Sequence, residues 1–416
     1  ARSQARHGRM KALPAAAIIE EDDETSISIT PSTAIEASEP MIVQAPKKIE
    51  GELVDVPELR VPTTSINPVL LGNEGVISAS HTQKIEVSQN LVNTGTLHAK
   101  TDLDIEAGHY HGYQRTVTKD VTTTRKSGLL KKKKTDHHTI QVAQPGGNAS
   151  SEGTLKIEGH RGFLQEGGAI TAKEDGQLTS QQGPVEIKPA QASTVVTSKT
   201  GSMGRLMGHK NAAVVPIFIP TQIQLGSSET RAENDWIRII GSDFITTGDQ
   251  YFYGRKGILV SDIHVPYVAE KRSSIRGLSI RNQTSQKVTG QAAHIVSLKG
   301  SSTFDAPEGT FTNRGSLIAA GQDTNFLGQH GNFFETSHTP LKSTQSFTGS
   351  RGLGFTSSKT TVHDEFLSHP IVISGHDFNS ITPASNVATG LQLEVGDAMQ
   401  WTAGVDNIFN AAHCHH

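Results

Sequence analysis

The residues best suited to do chemistry lie in one basic stretch. Arg115, Lys119, Arg125, Lys126, Lys131, Lys132, Lys133 and Lys134 set eight positive side chains against Asp120 and Asp136, a local charge of about +6. Such a patch suits the anionic groups of lipopolysaccharide, of an acidic glycan or of a nucleic acid. Specific nucleic-acid recognition is not expected, because no aromatic residues are interleaved with the cations to stack on bases. The plainer reading is a solvated edge strand whose lysines discourage sheet-to-sheet pairing.

Three other groupings have the right residue types and the wrong spacing. His363, Asp364, Glu365 and His369 fall within seven residues. A zinc protease needs His-Glu-x-x-His, with the histidines four apart on one helical face, whereas these are six apart in a β-rich setting. His413, Cys414, His415 and His416 are soft ligands, but adjacent donors do not close a metal site without partners elsewhere. Asp102 and Asp104 would share one strand face about 7 Å apart, a separation used in glycoside cleavage. Outward-facing acids on successive strands are also the ordinary solvation pattern. Gly201-Ser202-Met203-Gly204 does not match the Gly-x-Ser-x-Gly elbow, and no phosphate loop is present. The expectation is therefore no catalytic residues, no metal, no cofactor and no enzyme. A carbohydrate-active β-helix is the enzymatic alternative.

The elements that must position these residues follow from composition. Of 416 residues only 34% are hydrophobic and 5% aromatic, while Gly contributes 40, which favours an elongated array of small and β-branched residues over several compact cores. The net charge of −3 supplies no global field toward nucleic acid or an anionic membrane. A single cysteine, Cys414, excludes an internal disulfide framework. No run of eighteen apolar residues occurs, so no transmembrane helix is expected; the stretch from Ala212 to Ile219 is short and broken by Pro216. The basic opening after Ala1, with no hydrophobic segment behind it, reads as a fragment or internal piece of a larger product. Residues 1–64, with the acidic run from Glu20 to Glu24, read as a flexible leader.

From about residue 65 a repeat begins. Gly75-Val76-Ile77-Ser78-Ala79 aligns with Gly95-Thr96-Leu97-His98-Ala99, an offset of 20 that also maps Ile85 onto Ile105. That period predicts coiled β-strands with one rung per repeat. Gly153, Gly168 and Gly183 form a second register at intervals of 15, each before an alternating strand (Leu155 and Ile157, Ile170 and Ala172, Val185 and Ile187) whose marked residues should face one interior. Four similar segments starting at 123, 200, 270 and 348 interrupt the rungs, 77, 70 and 78 residues apart. They read as β-hairpins projecting near 113–140, 195–215, 268–290 and 343–365, with the array ending near 410 and a tail at 411–416.

The order of Asp104-Ile105-Glu106-Ala107-Gly108, a hydroxyl- and lysine-rich hairpin, then Gly153-Thr154-Leu155-Lys156-Ile157-Glu158-Gly159 resembles the haemagglutinin repeats of filamentous haemagglutinin and of contact-dependent growth inhibition effectors, over roughly 70–400. The resemblance implies an all-β, right-handed parallel β-helix with hairpin insertions, exported by two-partner secretion through an outer-membrane partner. It further implies a secreted, cell-surface location and contact with a target-cell receptor, glycan or lipopolysaccharide, with the chain serving as a structural and adhesive segment or as the stalk of a toxin. The remaining alternative is a non-functional remnant of a larger effector. Fewer Ala-Gly-Arg/Asn-Asp turns than the family usually carries predict a less regular helix beyond residue 190.

Overall fold

The computed structural model describes residues 70–412, apart from 128–131, 203–206, 276–278 and 352–353, together with six short strands before residue 70. Alternation of inward apolar and outward polar residues determines each element. In Leu155–Gly159, residues 155, 157 and 159 are buried while Lys156 and Glu158 stay partly exposed, the period-two pattern of a strand with one face in a core. Four or five such residues cannot bury a core alone, so stability comes from stacking rung on rung.

Each rung contains three strands. Asn148–Ser151, Leu155–Gly159 and Phe163–Glu166 make one turn, and Ala169–Ala172, Gly176–Ser180 and Val185–Lys188 make the next, paired in parallel with it strand for strand. Ten such rungs run from Val76 to Asn410. Two early strands, Thr82–Asn93 and Leu103–Tyr113, continue around a corner and contribute to two faces at once; their pairing shifts register between Ala107 and His109. The molecule is a parallel β-helix with protruding hairpins, and it stays regular beyond residue 190, contrary to the expectation from its turns. Of the six strands upstream, Ser26–Ile29 and Ala34–Ala37 pair in parallel with Leu70–Asn73 and Val76–Ala79. Ser3–Gln4 pairs with the strand Ser26–Ile29, and Ile42–Gln44 pairs with both Ala16–Ile18 and Thr63–Asn67; the residues of the expected leader outside these strands are not among the described ones.

The 20-residue register is the true stacking register, since Ile77 pairs with Leu97 and Ile85 with Ile105. The 15-residue register has a different meaning. Leu155, Ile170 and Val185 all point inward, but from three different faces, so that interval carries the chain to another face rather than to the equivalent place one rung on.

The core changes character along the axis. Ile77, Leu97, Ala149, Ile170 and Ile223 stack on one face in the earlier rungs. From Phe252 onward the interior fills with rings: Phe252 on Phe304 at 4.9 Å and Phe304 on Phe326 at 5.3 Å, continuing through Phe378 to Trp401. At one corner buried amides stack as well, with Asn332 donating to Asn386 at 3.1 Å and Asn386 to Asn407 at 2.8 Å, which satisfies polar groups that burial would otherwise penalise. Where the chain enters a new rung, Gly147 and Gly168 sit one above the other with φ of +70° and +69°. A Cβ on Gly168 would come within 2.6 Å of the Gly147 carbonyl oxygen, so both conformation and clearance call for glycine.

The hairpins span 116–143, 190–219, 263–291 and 337–368, longer at most ends than their sequence suggests. They leave from the same corner after every second rung, and they pair with one another. Asp136 to Ile140 bond antiparallel to Ser198 to Thr194, Met207 to Ala213 to Ile275 to Ala269, and Ser279 to Ser285 to Gly349 to Ser343, giving one eight-stranded antiparallel sheet. The geometry has a simple origin. Strands lie about 4.7–4.9 Å apart whether parallel or antiparallel, so two strands of hairpin match two rungs of helix and successive hairpins meet without a gap. Pro216, Pro266 and Pro340, which lack an N–H, lie on the rod side of each junction, outside the pairing between hairpins.

Candidate binding surface

The hairpin sheet is a fin one layer thick. On one side Val214 and Val268 remain 54% and 44% exposed, and on the other Val142 and Val362 remain 40% and 56% exposed, so neither side is covered. It is held by its ladder and by cross-strand pairs rather than by a core.

The eight basic residues of the sequence do not form one equivalent set. Arg115 stands at the foot of hairpin 1, its guanidinium donating to the Glu74 carboxylate; it anchors the hairpin to the rod and is not a free cation of the patch. Lys119 is exposed on the first strand, between Val117 and Val121. Pairing places Arg125 opposite Lys134, Lys126 opposite Lys133 and Ser127 opposite Lys132 in the outer half of the hairpin. The side chains of Arg125, Lys126, Lys132, Lys133 and Lys134, and the whole of Lys131, lie outside the described residues.

The patch extends further than that stretch. The four hairpins hold 18 of the chain's 38 Lys and Arg but only 5 of its 41 Asp and Glu, a net +13 that leaves −16 on the remainder. The two populations of cations also differ in their partners. On the rod, Lys156 pairs with Glu158 at 3.2 Å, Lys188 with Glu166 at 3.0 Å, Arg238 with Glu186 at 2.8 Å and Arg314 with Glu335 at 2.8 Å. On the fin, among the described residues, Lys119, Lys271, Arg272, Lys287, Lys342 and Lys359 are exposed and make no ion pair. Arg281 lies 6.0 Å from the centre of the Phe347 ring on the neighbouring hairpin. Fin cations beyond hairpin 1 escape a local reading because they are scattered along the chain in ones and twos. Summing charge separately over hairpins and rungs is the signal that reveals them.

The other groupings are dispersed. Asp102 caps a corner, accepting from the Thr154 backbone N–H at 2.9 Å and its hydroxyl at 2.8 Å, while Asp104 faces out from the following strand. Burial pushes the Asp104 carboxyl above its usual range, and the neighbouring Lys156 and Lys84 ammonium groups oppose that. His363 stands opposite Lys342, Glu365 contacts His338 at 2.9 Å, and His369 contacts the Thr336 hydroxyl at 3.1 Å. Among the described residues no three His, Cys, Asp or Glu side chains converge on a metal site. His413, Cys414, His415 and His416 lie outside the described residues. Sequence reasoning missed one buried pair at the foot of hairpin 3. His264 Nδ1 lies 3.0 Å from Asp262 Oδ2, off the line of a hydrogen bond, and the imidazole packs on Phe366 of hairpin 4 at 4.7 Å.

Fold and surface together define a β-helical rod that carries a basic, single-layered fin along one corner. Comparison with known protein families, with curated proteins and with solved structures finds no match. No helix among the described residues is long and apolar enough to cross a membrane.

Proposed function

We propose that the chain is a structural and adhesive segment of a secreted bacterial surface exoprotein of the haemagglutinin-repeat type, exported through an outer-membrane partner and used to contact target cells. The observation that carries this reading is the departure of every hairpin from the same corner after each second rung. A stack of main-chain ladders makes a stiff spacer, and placing all insertions on one edge concentrates many weak contacts where a second surface can meet them together. The exposed, unpaired cations of the fin suit a target surface rich in anionic glycan or lipopolysaccharide.

The test is attachment. Replacing 118–141 by a short turn keeps Arg115 and the rungs, so the circular-dichroism β signal should persist while attachment of the purified chain to target cells falls. Undiminished attachment by a folded variant would refute the adhesive role of the fin.

A further inference from the structure

The fin ends on two edge strands, Thr116–Ser127 and Gly354–Ser368, and among the described residues neither has a partner on its outer side. An unpaired edge offers a row of N–H and C=O groups to any further strand, and natural sheets block it with proline, lysine or a bulge. The first edge is blocked by charge: Lys119, Arg125 and Lys126 stand against Asp120 alone, so two such edges repel. The last edge is open. From Ser357 to Asp364 every residue is exposed, no proline or glycine interrupts the run, and its one cation, Lys359, is followed by Asp364 and Glu365. Pairing with the inner strand runs through it without a bulge, and Val362 sits in the middle, 56% exposed.

Charge on this strand is arranged about Val362. Lys359 lies three residues before it and Glu365 three after; Thr360 and Asp364 flank it at two, Thr361 and His363 at one. When two copies of one strand pair antiparallel about a two-fold axis normal to the sheet, each side chain keeps its own side, so one residue must stand opposite itself. With Val362 in that place, Lys359 of each copy faces Glu365 of the other, Thr360 faces Asp364, and the two valines cover one another. Centring on Thr361 would set Lys359 against His363 instead, and centring on His363 would set Val362 against Asp364. We infer that this edge docks a second copy of the chain, through a ladder running from Lys359 to Glu365. Its seven residues equal the ladders that already join the hairpins, Met207 to Ala213 and Ser279 to Ser285. Antiparallel pairing lays the foot of one fin beside the tip of the other, so the rods lie on opposite sides of a shared sheet. The inference is independent of what the fin binds on a target cell.

Sedimentation velocity of the full chain over a dilution series reads the association directly. Wild type should pass reversibly from monomer to dimer and stop there. Lys359→Glu and Glu365→Lys should each weaken the dimer about tenfold, since each sets like charges opposite one another twice across the axis, and the double variant should restore it. In a Cys414→Ser background, Val362→Cys should cross-link to itself under mild oxidation, because opposed Cα atoms of an antiparallel pair lie about 4.5–5.5 Å apart, within disulfide reach. Val121→Cys, on the first edge, should not. The circular-dichroism β signal, unchanged in every variant, shows that each is folded. A chain that stays monomeric at its highest soluble concentration would overturn the inference. So would a dimer indifferent to both charge reversals, a double variant without rescue, or self-cross-linking at the first edge. Growth beyond the dimer would do the same, because it marks the first edge of one copy pairing with the last edge of the next.

Discussion

Phe304 lies on Phe252 of the preceding rung with ring planes 7° apart and centroids separated by 4.9 Å, and both side chains are fully buried. The contact couples two rungs on either side of hairpin 3, where the chain leaves the rod for 29 residues before resuming the stack. Continuity of the core across each excursion therefore depends on such side chains as well as on the ladder. Phe304→Ala should cost about 3–5 kcal/mol, the range for emptying a buried aromatic site, and Phe304→Leu less. Urea denaturation of both variants checks this; equal, small losses would mean that the rings are not the coupling.

Asn386 binds in both directions along its corner, accepting from Asn332 and donating to Asn407. Replacement by Ala removes the acceptor of the buried Ser380 hydroxyl, which donates to Asn386 Oδ1 at 2.8 Å, and should cost about 1–3 kcal/mol. Asn407→Ala, at the outer end of the stack, should cost less. The two unfolding midpoints, compared side by side, decide whether the stacked amides stabilise the corner.

Glu166 gives the rod an acid-sensitive contact. Burial pushes its carboxyl up, but hydrogen bonds and charge from Lys188 and His111 outweigh this and hold it below the usual range. A carboxyl depressed in the folded state contributes stability that is present above its unfolded pKa and lost as pH falls through the folded one. Wild type should lose stability through that acid window faster than Glu166→Gln, which should already be the weaker protein at neutral pH. Parallel denaturation curves at each pH would contradict the assignment.

The lone fin lysines should be structurally neutral. Lys119 and Lys287 are exposed and unpaired among the described residues, so Ala at either should change stability by no more than about 0.5 kcal/mol. Thermal unfolding checks it, and a larger loss would mean that these side chains support the sheet.

Much of the rod is legible in the sequence because its side chains alternate under a burial constraint. Ile77 over Leu97 and Ile85 over Ile105 follow directly from the 20-residue offset. The 15-residue spacing of Leu155, Ile170 and Val185 is equally visible and identifies inward residues correctly, yet it cannot say that a corner has been turned, since period two looks the same on every face. The hairpins are legible as four similar interruptions, but their union into one sheet is not. A fin with solvent on both sides needs no apolar stripe, so Thr139 opposite Val195 or Arg272 opposite Asn282 leaves no mark in a single sequence. For the same reason a local reading of the sequence confines the basic surface to 115–134, where lysines are contiguous. The pairing of Arg115 with Glu74 leaves no local mark, because 41 residues separate the two.

The most direct test of the account compares two variants of equal charge change. One replaces Lys119, Lys271, Arg272, Lys287, Lys342 and Lys359 of the fin with Gln; the other replaces six rod cations. Attachment to target cells, measured for folded chains at physiological salt, should collapse in the first and persist in the second. Equal attachment by both variants and the wild type would contradict it.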